Sequence, residues 1–70
     1  MLPLILGTPG ESYKIRKING TDATRQRLCE LGFVLDELVT IVSQRSGDMI
    51  VKVKDARIAI NREMASRIMV

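Results

Sequence analysis

Histidine and tryptophan are absent from this chain of 70 residues, cysteine occurs once, and the aromatics are Tyr13 and Phe33 alone. Without histidine the commonest general base and pH-responsive side chain is missing. Ser12, Ser43, Ser46 and Ser66 have no activating partner in view, and Cys29 has no imidazole to make it a nucleophile. No G-x-x-x-x-G-K-[ST] stretch occurs, which excludes nucleotide hydrolysis through a P-loop. The expectation is a protein that binds rather than catalyses, with no catalytic residue and no cofactor to assign.

The same scarcity limits metal chemistry. Iron and zinc sites draw imidazole, thiolate and carboxylate together at close spacing. Here Cys29 and Glu30 are adjacent, and neighbours on a helix point about 100° apart rather than converging. No metal ligand is assigned on that basis. A single cysteine also forms no internal disulfide, whereas small secreted domains usually offset a thin core with several bridges. An intracellular, cytoplasmic protein is expected. No run approaches the roughly 20 apolar residues of a membrane span, and Met1–Gly7 lacks the basic flank of a signal peptide. Membrane insertion is therefore not expected.

What is abundant is branched aliphatic carbon, spread from Leu2 to Val70. One domain over residues 1–70 follows, and nearly every large aliphatic is needed to fill its core. Eleven basic residues against eight acidic give +3 but form no basic run, so charge alone names no partner.

Along the chain, Thr8-Pro9-Gly10-Glu11 marks a turn. Ser12 to Ile18 reads as a strand with Tyr13 and Ile15 on one face and Lys14 and Arg16 on the other, with a bulge or bend expected near Lys17. Thr21 or Asp22 can cap a helix over Ala23–Leu31, whose apolar stripe is Thr24, Leu28 and Leu31. Gly32 fits the left-handed position after the helix, and Phe33 can then touch Leu28 in a Schellman stop. Phe33 is expected in the core.

Strands follow over Leu38–Gln44 and Met49–Lys54 around the Arg45–Asp48 loop, then over Arg57–Ile60 after a tight turn at Asp55-Ala56. Asn61 can cap one helical turn, Arg62–Ser66, before a last strand, Arg67–Val70. About five short strands, one inserted α-helix and a short C-terminal helical turn make a mainly β fold. So small a sheet must curl to bury its apolar face, and a small SH3-like barrel is the economical closure, with an OB-like barrel as the alternative.

The order Pro9-Gly10, Ile18-Asn19-Gly20, Arg27-Leu28-Cys29-Glu30-Leu31-Gly32-Phe33, Val39-Thr40-Ile41, Gly47, Ile58-Ala59-Ile60-Asn61 and Ala65-Ser66-Arg67-Ile68-Met69-Val70 resembles the FeoA family of ferrous-iron transport proteins, with its R-L-x-x-L-G-F and closing A-x-x-I-x-V. The resemblance runs from about Leu4 to Val70. It departs at Leu35-Asp36, where members often carry Pro-Gly, and at Asp55, where they often carry Gly. The turn at Leu35-Asp36 is accordingly expected to form differently. The resemblance implies an SH3-like domain, an association with transition metal ions, kinship with the SH3-like domain of DtxR-type metal-dependent repressors, and a cytoplasmic role beside FeoB, the membrane iron transporter.

The partner-binding surface expected from the residues is the outward side of the helix, Arg25, Gln26 and Cys29, with Leu35 and Leu38 beside it. Leu2 and Leu6 either extend such a patch or close the other mouth of the barrel. Self-association stays open. A small RNA-binding barrel using Lys14, Arg16, Lys52 and Lys54 is the alternative from another class. Single-strand binders stack bases on exposed aromatics, however, and only Tyr13 is available, so specific nucleic acid binding is not expected. A freestanding relative of the repressor domain is the third reading.

Overall fold

The computed structural model describes residues 1–70. Alternating apolar residues build the central sheet from β1 (Ser12–Lys14), β3 (Leu38–Arg45), β4 (Asp48–Val53) and β5 (Ala56–Ile60), antiparallel throughout in the order β1-β3-β4-β5. In β4 the alternation is complete: Met49, Val51 and Val53 are buried while Asp48, Ile50 and Lys52 face out. Val39 faces Val53 and Ile41 faces Val51 across the β3–β4 ladder, so both strands present one apolar surface inward. A bulge between Ile41 and Ser43 then shifts the register and bends the sheet. Past the bulge, Gln44 reaches over to donate to the Ile5 carbonyl at 3.0 Å.

The segment Ser12–Ile18 is not one strand. It divides into β1 and β2 (Lys17–Ile18), and the two halves join different sheets. The break falls at Ile15-Arg16, one residue before the bend expected at Lys17. Its cause is the core: Ile15 is fully buried, its amide donates to Glu37 and its carbonyl accepts from Asp36, while the Arg16 amide already turns to Met69. β2 pairs with β6 (Ile68–Met69), a two-residue strand shorter than the expected Arg67–Val70 because α2 (Arg62–Arg67) continues through Arg67. Asn61 caps α2 by accepting from the Met64 amide at 2.8 Å.

The N-terminal apolar run closes this end of the barrel. Leu2 and Val70 exchange both backbone hydrogen bonds, at 2.9 and 2.8 Å, and Pro3 bridges Met69. A short 3-10 turn over Leu4–Leu6 then drops Leu4 into the core and leaves Leu6 71% exposed. Twelve apolar side chains form one buried cluster, with Phe33 the largest. No buried side-chain polar atom lacks a partner, as close-packed interiors require.

Two hairpin turns carry left-handed residues. Ser46 (φ 52°) and Gly47 (φ 89°) join β3 to β4, the double positive φ of a type I′ turn that matches strand twist. The β4–β5 turn is Lys54-Asp55, one residue earlier than expected, with Val53 paired to Ala56 across it. Lys54 there takes φ 55°.

Candidate functional site

The helix that carries the expected surface is fixed at both ends by local chemistry. Thr21 accepts from the Thr24 amide at 3.2 Å and starts α1 (Asp22–Glu30). At its far end the Phe33 amide donates to Leu28 and the Gly32 amide to Cys29, each at 3.0 Å, with Gly32 at φ 108°. Both bonds of the Schellman motif are present. Leu28 and Phe33 are fully buried, whereas Leu31, expected on the apolar stripe, is 39% exposed. As the C-cap residue it stands where the chain leaves the helix, and Phe33 fills the core position instead.

The next turn forms with the geometry that Pro-Gly would give, not a different one. The Glu37 amide donates to the Val34 carbonyl at 3.2 Å, and Asp36, third in the turn, takes φ 71°. That combination is a type II turn, in which proline favours the second place and glycine the third. Leu35 occupies the proline place and Asp36 the glycine place; aspartate tolerates the left-handed region better than most residues. Being at the corner of the turn, Leu35 is 61% exposed.

These elements enclose a cleft of about 330 Å³. Its walls come from β2 and the residue before it (Arg16, Lys17, Ile18), from α1 (Arg25, Cys29), and from the chain after the helix stop (Phe33, Val34, Leu35). Three of these residues are cations and none is an acid. Arg25 pairs with Asp22 one turn back on the exposed helix face, while Arg16 and Lys17 have no carboxylate within 4.0 Å.

Of the five residues expected from the sequence, Arg25, Cys29 and Leu35 meet at this cleft. Gln26 is exposed on α1 but does not line it. Leu38 is 58% exposed and lies opposite Lys14 on the outer face of the sheet. The residues that sequence reasoning missed are Arg16, Lys17, Ile18 and Val34. Their signal was the loss of alternation at Ile18, which marks the chain leaving one sheet for another. Only the partner strand β6 shows where it goes.

No three acidic or thiol side chains gather anywhere in the fold, and Cys29 is exposed and alone. The residues present therefore do not fit a resident metal centre, which needs several such donors converging.

The fold is that of small SH3-like domains. A manganese-dependent transcriptional repressor contains it as one part, with a TM-score of 0.86 at 17% identity over 94% of this chain and 38% of that one. At that identity the likeness concerns the fold alone. Within the SH3-like class, residues 2–70 match the FeoA domain model, and the chain belongs to the FeoA domain family. It is 31% identical to a protein of Methanocaldococcus jannaschii that bears the name Fe(2+) transport protein A, over all of this chain and 85% of that one. It also resembles, at 27% identity and a TM-score of 0.84, the FeoA of Stenotrophomonas maltophilia complexed with zinc, described as a prokaryotic SH3 domain protein; 99% of this chain and 88% of that one overlap. A second FeoA crystal structure, that of an iron uptake regulatory protein, matches at 27% identity and a TM-score of 0.85 over 96% of this chain and 89% of that one.

Proposed function

We propose that this chain is a cytoplasmic accessory protein of ferrous-iron transport that acts without catalysis, by docking on the cytoplasmic part of a FeoB-like membrane transporter. The docking surface is the outward side of α1, Arg25, Gln26 and Cys29, together with Leu35 and Leu38. One observation carries this reading: Leu35 and Leu38, which follow the helix stop, are 61% and 58% exposed and are, with Leu6, the most exposed leucines of the chain. Exposed aliphatics held on a fixed turn and strand are the usual material of a docking surface. Membership of a ferrous-iron transport family supplies the kind of partner.

The test is calorimetric titration of the cytoplasmic part of the FeoB-like transporter into the chain. Leu35→Asp and Leu38→Asp are expected to weaken binding by roughly tenfold or more, as truncation of central interface residues does. Leu6→Asp, 71% exposed at the end of the N-terminal 3-10 turn and outside the proposed surface, is expected to leave it unchanged. Binding that survives both substitutions at the helix stop would place the docking surface elsewhere.

A further inference from the structure

We propose that the cleft between α1 and β2 receives an acidic, apolar chain segment of the partner protein: an aliphatic side chain inserted between carboxylates. The inference rests on the docking reading above and adds the chemistry of what docks.

Shape and charge agree on this occupant. The interior of the cleft is hydrocarbon from Ile18, Val34 and Leu35, with Phe33 behind them. An inserted aliphatic side chain exchanges water for hydrocarbon contact there. Arg16, Lys17 and Arg25 also line the cleft, the first two from β2 and the residue before it and the third from α1. No carboxylate lines the cleft, and of its three cations only Arg25 has an ion-pair partner. Arg16 and Lys17 are unpaired within 4.0 Å, and the Arg25–Asp22 pair lies on the open surface, with the Asp22 side chain 94% exposed. Surface pairs of this kind hold little free energy, so the Arg25 guanidinium can turn to a partner carboxylate at small cost. A basic segment would set like charges together, which an interface selects against.

Nucleic acid fits less well. The cations would serve phosphates, but the apolar floor would face sugar and phosphate. Base stacking has no platform either, because Phe33 is fully buried and Tyr13 packs partly buried against the core.

Cys29 makes the site measurable. It lines the cleft, is exposed, and is the only thiol in the chain. Its rate of alkylation by iodoacetamide therefore reports occupancy of this cleft and no other. The probes are overlapping peptides covering the cytoplasmic part of the transporter and a designed peptide of alternating glutamate and leucine. Peptides that combine carboxylates with an aliphatic residue are expected to slow alkylation of Cys29 by fivefold or more at saturation, on the order expected for a group removed from solvent. The protection should weaken as salt rises. Replacing the peptide's acids by their amides should weaken binding about tenfold at low salt, as should Arg16→Glu with Lys17→Glu, both exposed positions that leave the core untouched. A lysine-bearing peptide should then bind the doubly reversed variant better than the native chain.

Protection of Cys29 by basic or uncharged peptides, or affinities unchanged within twofold by charge reversal, would overturn the inference. If the transporter still binds in that case, docking stands and only the chemistry assigned to the cleft is wrong. If acidic, apolar peptides protect Cys29 while the transporter does not bind, the cleft keeps its assignment and the transporter is the wrong partner. Failure of every probe overturns both.

Discussion

Leu28 and Phe33 are joined twice, through the 3.0 Å hydrogen bond from the Phe33 amide to the Leu28 carbonyl and through burial of both side chains in one cluster. The helix stop is thereby a core contact as well as a backbone motif. Gly32 makes it possible by turning the chain at φ 108°, so that Phe33 comes back over the last turn.

Gly32→Val should therefore be strongly destabilising, by roughly 1–3 kcal/mol from backbone strain alone. The cause is conformational rather than spatial, since a Cβ there would meet Val53 at an ordinary 3.5 Å. Cys29→Ala, on the exposed side of the same turn, should stay within about 0.5 kcal/mol of the native chain. Urea unfolding of both variants checks the pair. A larger loss for Cys29→Ala would mean that the helix presents a different face to the core.

Asp36→Gly should stabilise the domain by roughly 0.5–1 kcal/mol, because it removes a left-handed aspartate from the third place of the type II turn. Leu35→Pro, at the second place, should be tolerated, since the Leu35 amide donates no backbone hydrogen bond. The same substitution should weaken partner binding by removing the exposed aliphatic. A thermal melt read beside a binding titration separates the two effects.

Lys52 and Arg57 stand directly opposite each other on the outer face of the β4–β5 ladder, and like charges so placed destabilise a sheet. Lys52→Glu should raise stability by about 0.2–1 kcal/mol. The gain should shrink in high salt, which screens exposed charges. Urea midpoints at two ionic strengths give the answer. A gain that ignores salt would point to packing instead of charge.

Ferrous iron or zinc should leave the melting temperature of the isolated chain within about a degree of its metal-free value, because a ligand that binds only the folded state stabilises it by mass action and no cluster of donors is present. A metal-dependent rise that vanishes in Cys29→Ser would show that the lone thiol is a metal ligand after all.

Much of this architecture is written in short-range chemistry. The helix cap at Thr21, the Gly32 stop, the strict alternation in β4 and the Asn61 cap are each carried by residues within a few places of one another, and each lies where the sequence puts it within a residue or two. What could not be read locally depends on distant partners. Ser12–Ile18 looks continuous because both halves are extended; it divides only because Ile15 is drawn into a core built by β3, α1 and Phe33. The cleft was legible in part for the same reason. Arg25, Cys29 and Leu35 were visible from the helix and its stop, but Arg16, Lys17 and Ile18 reach the site through the pairing of β2 with residues some fifty places later. Leu35-Asp36 went the other way. Its sequence suggested a departure, yet the surrounding chain imposes the left-handed conformation on aspartate.

The exchange of hydrogen bonds between Leu2 and Val70 sets a condition on how the molecule is made. Arg16 and Asn19 likewise wait on Met69 and Arg67 for their backbone partners, so β2 has no strand to pair with until residues some fifty places later are in position. Contacts of such long sequence separation slow folding. The β3–β4–β5 meander, whose pairings are all local, is available to form first. Docking of Arg67–Val70 against β2 and Leu2 then becomes the event that converts an open meander into a closed barrel.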